Sequence, residues 1–317
     1  MNIKISVIIC TYNRSNTLKE LLDCLLVQDL KEPFEIIVVD NNSKDDTKTV
    51  VESYKSKFQG KLKYFFEPQQ GKPFALNLGI KEAQGEILVF TDDDCTVGED
   101  YLTHIYESYL KYGSEIGVLG GKITPRWVNG QKPDWIIDLK QGWWFKAFFT
   151  GPLGMLDYGD KPYLITAEDV NKANLFYGAN ICIRKDVLVR HGCFSTEKIL
   201  TKDTEICVRL FRAGVKGMYV PKIMVYHRVD AKKITPQFYY RWYYLRGKLL
   251  EVKDEYQRKF YHPFGIKWGF IAQTFKLWIN SIFSTSLGYR IYHHSHFLFN
   301  LGQMIQIAQK QKAKGAS

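Results

Sequence analysis

Two glycine fingerprints are missing from this 317-residue sequence: no G-x-G-x-x-G follows an apolar run, and no G-x-x-x-x-G-K-[ST] occurs. Both motifs use their glycines to bring backbone N–H groups against phosphate, so the dinucleotide-binding and P-loop classes lose their defining feature. A nucleotide-dependent oxidoreductase is the reading this removes most directly. Cysteine is scarce as well. The six residues Cys10, Cys24, Cys95, Cys182, Cys193 and Cys207 include no C-x-x-C pair. Several sit in apolar runs where a thiol behaves as a small hydrophobe, so they read as reduced and structural. No uncharged apolar stretch of about 20 residues is present either, because Lys267 and Lys276 interrupt the one candidate, and a spanning helix is not supported. The opening MNIKISVIIC turns polar at once, at Thr11-Tyr12-Asn13-Arg14, as a strand does and a signal-peptide core does not. The body is expected in the cytoplasm.

What is present is an ordinary globular composition, 45% hydrophobic and 24% charged, with an uneven charge. Residues 1–227 carry 29 Lys and Arg against 29 Asp and Glu, whereas residues 228–317 carry 15 against 4. The whole net charge of +11 therefore lies in the last part of the chain. A neutral body over 1–228 and a basic, aromatic tail over 229–317 follow, and such tails commonly meet an anionic surface.

Along the body, apolar β-branched runs alternate with helical patterns: Ile5 to Cys10 and Leu18 to Leu26, Phe34 to Val39 and Asp45 to Phe58, Leu62 to Phe66 and Phe74 to Ala83, Glu86 to Phe90 and Asp100 to Tyr112. Near-continuous apolar strands need cover on both faces, so the expected fold is α/β, a mostly parallel sheet flanked by helices. Ligands in such folds bind beyond the carboxyl ends of the strands. Polar groups cluster there: Thr11-Tyr12-Asn13-Arg14, Asp40-Asn41-Asn42-Ser43 and Thr91-Asp92-Asp93-Asp94. Three adjacent carboxylates repel one another, and a divalent cation such as Mn²⁺ or Mg²⁺ removes that cost. Strand alternation would turn Asp92 and Asp94 one way and Asp93 the other. Taken alone, the triplet reads equally as a solvated acidic turn.

The segments SVIICTYNR, IIVVDNNSKDDT, GKPFALNLGI, ILVFTDDDC, GANICIRKDVLVRHGCF and TKDTEICVRLFRAGVKGMYVP, in this order over roughly residues 3–228, resemble the family 2 glycosyltransferases of GT-A, Rossmann-like fold. The resemblance implies an inverting, metal-assisted transfer from a nucleotide-sugar donor. Carried over residue by residue, it places Thr11 and Tyr12 in the base pocket with Asn13, Arg14 and Asn42 beside it. Asp40 would accept the N3 hydrogen of uracil or the matching edge of another base. Asp93 would hold the ribose and Asp94 the metal, with Asp92 as a ligand or support. Lys72 and Asn77, in the glycine-led helix start, would lie beside the nucleotide. Where many relatives carry Arg this chain has Leu76, so no contact from that position carries over. Asp203 would be the general base, with Glu205 as its substitute, although Asp203 or Thr204 equally suits a helix cap. Lys202 stands where the family usually has an acid. His227 would approach the metal or the diphosphate.

Residues 124–177 break the alternation and hold Trp127, Trp135, Trp143 and Trp144 with Phe145, Phe148 and Phe149, an expected acceptor-side insertion whose rings suit sugar stacking or a small core equally. In the tail, Phe264, Trp268, Ile271, Phe275, Trp278 and Ile282 alternate at four- and three-residue spacing, the pattern of one amphipathic helix. That helix would lie on a membrane surface, pack on the body or form a homodimer; nucleic acid is not an expected partner, since no nucleic-acid module is present. Processive relatives carry Q-x-x-R-W, whereas here three residues separate Gln237 from Arg241-Trp242, which favours single additions. The acceptor is expected to be a saccharide or a lipid-linked glycan, with the enzyme peripheral on the inner face of the cell membrane. A catalytically inactive GT-A scaffold is the alternative, and retention of both the triplet and Asp203 speaks against it.

Overall fold

The computed structural model describes residues 3–128, 132–136, 151–170, 175–197, 202–249, 268–284 and 286–314. Trp143, Trp144, Phe145, Phe148, Phe149, Phe264 and Lys267, singled out in the sequence, lie outside them. The chain divides into two compact units, one of residues 1–126 with 154–228 and the other of 127–153 with 229–317.

In the first unit, β1 (Ile5–Thr11), β2 (Phe34–Asp40), β3 (Leu62–Phe66) and β4 (Ile87–Asp92) alternate with α1 (Ser15–Leu26), α2 (Thr47–Lys55) and α3 (Lys72–Glu82). β5 (Cys95–Val97), α4 (Tyr101–Tyr112), β6 (Ile116–Trp127), β7 (Tyr163–Ile165), β8 (Ile181–Arg184), α5 (Lys185–His191), α6 (Lys202–Arg212) and β9 (Lys216–Val229) follow. The strands form one sheet in the order β3-β2-β1-β4-β8-β6-β9-β5, with β7 on β9. The expected α/β class holds, and the sheet is mixed. β3, β2, β1 and β4 are parallel. β8 runs antiparallel to β4 and β6, and β5 and β7 run antiparallel to β9. The parallel part is the part the apolar runs announced, because strands buried on both faces carry little polar alternation. Every residue of β2 is buried, and so are six of the seven in β1.

One buried charge fixes how the strands enter the sheet. Glu35, near the start of β2, accepts hydrogen bonds from Ser6 Oγ (2.6 Å) and the Gln84 amide (2.6 Å) and pairs with Lys63 (2.6 Å). Burial alone would raise its pKa, but these partners hold it below the ordinary carboxylate value. The anchor lies at the amino ends of the strands, away from the polar clusters.

The second unit holds α7 (Pro236–Leu249), α8 (Trp268–Phe283) and α9 (Leu287–Lys314). α7 and α9 pack so closely that a Cβ on Gly247 would strike the Phe299 carbonyl and one on Gly302 the Tyr244 carbonyl. Trp135 meets the buried Tyr239 edge to face at 5.2 Å, which gives this indole a packing role. α8 turns Thr274 and Ser281 inward, with Asn300 bonding to Thr274 (3.1 Å), and leaves Phe275, Trp278, Ile282 and Phe283 exposed. Among the described residues, no helix is long and apolar enough to cross a membrane.

Candidate functional site

Strand register brings the polar clusters together. Thr11 pairs with Asp40 across β1 and β2, and Cys10 pairs with Asp92 across β1 and β4. The ends of β2, β1 and β4 therefore line one edge of the sheet, where the chain must leave the ladder and expose polar groups.

At the end of β2, Asp40 is buried, accepting from the Ser43 amide (2.8 Å) and the Tyr64 hydroxyl (2.9 Å). Asn42 follows at φ 71° and Asn13, after β1, at φ 52°. This left-handed region suits Asn better than bulkier residues. Asn13 is bound twice to the neighbouring loop, its amide donating to Ser43 Oγ (2.9 Å) and its Oδ1 accepting from the Lys44 amide (2.7 Å). The Ser15 amide donates to Asp45 (3.0 Å), so the backbone on both sides of Arg14 is fixed. Neither Asn42 nor Ser43 caps α2, which starts later, at Thr47, behind Asp46. Tyr12 stands 46% exposed at the rim.

Asn41, buried beside Asp40, braces the loop into α3. Its side-chain N–H donates to the Gln69 carbonyl (2.7 Å), and its Oδ1 accepts from the Gly71 amide (2.8 Å). Gly71, at φ +140°, adopts a conformation that favours glycine, and Pro73 follows in the first helical turn. This turn aims Lys72 at Asp92, 2.5 Å away. Asn77 does not join the cluster: it donates to the Phe194 carbonyl (2.9 Å) and accepts from the Phe194 amide (3.0 Å).

The acidic triplet divides differently from the strand alternation. β4 ends at Asp92, and the turn that follows puts Asp93 and Asp94 on the same partner, with Arg14 Nη1 2.8 Å from Asp93 and 2.9 Å from Asp94. Asp92 is left to Lys72. Asp93 and Asp94 are 4% and 6% exposed. Burial pushes the Asp93 carboxyl up to about 6; Arg14 and the nearby Thr11 hydroxyl pull the other way, while the charge of Asp94 adds to the rise.

β5 and β9 complete the site. Their antiparallel register sets Cys95 opposite His227, whose Nε2 lies 3.3 Å from Asp94 Oδ1. Ligand atoms of Asp94, Cys95 and His227 fall within 4.8 Å of one another, all on buried residues. His227 Nδ1 is buried without a hydrogen-bond partner among the described residues. A carboxylate and an imidazole converging there fit a divalent cation, and the nearby thiol is a softer donor. Burial first, then the charges of Asp92 and Asp94, hold that thiol well above its ordinary pKa.

Asp203 arrives from the far half of the sequence. It sits in the first turn of α6, and its Oδ2 accepts from the Gly178 amide (2.8 Å). A Cβ on Gly178 would come within 3.1–3.2 Å of the carboxylate, so a side chain there would have to push Asp203 aside by a few tenths of an ångström. Burial disfavours the charge on Lys72, but Asp92 and then Asp203 outweigh it and hold the ammonium well above its ordinary pKa. Lys72 thus feels both ends of the site. Glu205 faces elsewhere, bound to Arg209 (2.7 Å), which itself holds the carbonyls of His191, Gly192 and Cys193.

Sequence reasoning gave no role to Cys95, Tyr64, Asn41 or Gly178. Asn41 and Cys95 stand beside residues it did select. Tyr64 carries no local signal, because strand pairing brings it in, and Gly178, which opens the segment GANICIRKDVLVRHGCF, was given no role of its own.

The profile described as "Glycosyl transferase family group 2" matches residues 87–305, and that of "Glycosyl transferase family 2" matches residues 6–159. Two proteins of Haloferax volcanii are similar over most of the chain. Glycosyltransferase AglE is 25% identical, over 70% of this chain and 66% of its own length. A glucosyl-dolichyl phosphate glucuronosyltransferase is 22% identical, over 71% of this chain and 69% of its own. The chain thus spans about two thirds of each. Among solved structures, the mannosyltransferase PcManGT of Pyrobaculum calidifontis, in complex with GDP-Man and Mn²⁺, superposes with a TM-score of 0.56 at 17% identity, covering 100% of this chain and 76% of that one. That likeness concerns the fold.

Proposed function

We propose that this chain, which belongs to the family 2 glycosyltransferases, moves a sugar from a UDP-linked donor to a hydroxyl of a saccharide or lipid-linked glycan, with inversion at the anomeric carbon. The observation that carries the reading is Lys72, which pairs with Asp92 and shares its field with Asp203. It joins the acids at the donor end to a carboxylate some 110 residues later in the chain.

In this arrangement Asp40 selects a base that presents an N–H, and the exposed ring of Tyr12 covers the base. Neighbouring strands lie about 4.8 Å apart, so Asp40 and Asp92, two strands apart, stand about 10 Å from each other across the sheet, a span suited to a base and its diphosphate. Asp93 holds the ribose. Asp94 and His227 hold the divalent cation, Mn²⁺ or Mg²⁺, and Asp92 supports them through Lys72. When bound, the cation supplies charge stabilisation to the departing nucleoside diphosphate. Asp203 removes the acceptor hydroxyl's proton as its oxygen bonds to C1 and the C1–O bond to the diphosphate breaks. No covalent enzyme intermediate is needed.

The test is a thermal-shift screen of UDP- and GDP-linked sugars with Mn²⁺, followed by donor-hydrolysis assays. A bound donor raises the midpoint according to its concentration relative to Kd. Stabilisation by a UDP-sugar with Mn²⁺ and slow hydrolysis of it are expected; if no nucleotide sugar stabilises or turns over, the assignment fails.

The second unit supports an acceptor carried on a membrane. Phe275, Trp278 and Ile282 share the exposed side of α8, Phe283 and Leu287 are exposed as well, and the tail holds most of the basic excess. Aromatic and basic residues on one amphipathic surface suit an anionic bilayer. Flotation with vesicles containing phosphatidylglycerol should carry the protein upward and weaken with salt. Equal recovery with neutral phosphatidylcholine vesicles would refute the electrostatic part, and recovery with neither would refute the surface itself.

A further inference from the structure

Arg14 holds a position of more consequence than a rim contact. One guanidinium nitrogen lies 2.8 Å from Asp93 and 2.9 Å from Asp94, both almost fully buried. Asp94 is also the carboxylate that faces His227. Burial works against the Arg14 charge, and Asp93 and Asp94 more than restore it. Its side chain remains 47% exposed, so the head group has an open route outward. The backbone beneath it does not move freely, because Asn13 and Ser15 are bonded to the loop of Ser43, Lys44 and Asp45. Displacement would be a side-chain swing about a fixed stem.

We propose that Arg14 is the internal counter-ion of the donor site and competes with the divalent cation for Asp94, so that metal alone binds weakly and metal with nucleotide binds cooperatively. This rests on the reading of a metal-assisted nucleotide-sugar site. With Arg14 in place, the two buried carboxylates already share a positive charge, and a cation entering at Asp94 meets both that charge and the occupied oxygen. A nucleoside diphosphate changes the balance by offering the guanidinium another pair of anionic oxygens, which its planar fork suits. Arg14 then turns to the diphosphate, and Asp94 is left to the cation and His227. Each ligand favours the state the other needs, which makes the coupling reciprocal.

The experiment measures free Mn²⁺ by electron paramagnetic resonance during titration of the full chain, alone and with saturating UDP or GDP in separate arms. In the native protein, Mn²⁺ affinity should rise at least about tenfold with the nucleotide that binds, within the usual range of allosteric coupling. In Arg14→Gln and Arg14→Met, affinity for Mn²⁺ alone should rise by about tenfold and the further gain from nucleotide should shrink to a few-fold. Circular dichroism checks the fold of both variants, and the native titration needs neither. Mn²⁺ binding no tighter in the folded variants than in the native protein overturns the proposal. A native protein whose Mn²⁺ affinity ignores nucleotide overturns it too. No Mn²⁺ binding under any condition overturns the metal-assisted reading as well, so the two failures are distinct.

Discussion

Asp203→Asn is expected to lower the rate of sugar transfer by about 10²–10⁴-fold, the usual contribution of a positioned general base, while leaving nucleotide and Mn²⁺ binding within about twofold. The substitution is close to isosteric and keeps an oxygen to accept the hydrogen bond that Asp203 takes from the Gly178 amide. The tight approach at Gly178, and with it the first turn of α6, should therefore persist. What disappears is the basic lone pair. Asp203 also helps to hold the Lys72 ammonium charged, but Asp92 exerts the larger effect and is unchanged, so Lys72 should stay protonated and in place. The distinguishing measurement is kcat for transfer beside Kd for the nucleotide, since the loss of a merely structural Asp203 would lower kcat and raise Kd together. Transfer that survives at near-native rate would move the base to another group. Glu205 is a poor heir, because its carboxylate is bound to Arg209.

The parallel half of the sheet was legible in the sequence because β1, β2 and β4 are short runs of apolar, β-branched residues and β3 is a short run rich in aromatics, and such runs need no knowledge of their partners. The polar groups at their ends were legible for the same reason: a strand that stops at Thr11, Asp40 or Asp92 must release polar side chains to one edge. Pairing was not. β9 is a single strand of 14 residues that continues through Pro221 and Lys222, where no unbroken apolar run marks it. The opposition of Cys95 and His227 depends on that long strand, so the thiol could not be placed beside His227 from sequence. Alternation failed at Asp93 for a related reason. It assumes a continuing strand, and β4 ends one residue earlier. Asn13 and Asn42 illustrate another limit: their residue type suited a binding site and a left-handed turn equally, and only φ shows that each shapes its loop.

Asp94→Ala should abolish Mn²⁺ binding in the absence of nucleotide and lower transfer by about 10³-fold, the effect of losing roughly 4 kcal/mol of charge stabilisation on the leaving diphosphate. Asp94 is where three lines of geometry meet: Arg14 bonds one oxygen at 2.9 Å, His227 Nε2 faces the other at 3.3 Å, and Cys95 follows it in the chain at the start of β5. Removing it leaves a histidine and a protonated thiol, a set too weak for a hard cation. The fold should tolerate the change, because Arg14 keeps Asp93 as a partner at 2.8 Å. Asp93 itself should ionise more readily, since the charge of Asp94 is one of the forces that raise its carboxyl to about 6. In the native protein, a proton on Asp93 makes the pocket less negative, so Mn²⁺ affinity should fall as pH drops through about 6, and in Asp94→Ala no such dependence should remain. Asp203→Asn and Asp94→Ala thus part company in one titration, the first retaining Mn²⁺ and the second losing it. Mn²⁺-dependent turnover at native rate in Asp94→Ala would place the metal elsewhere, and Asp92, tied to Lys72, would be the next carboxylate to replace.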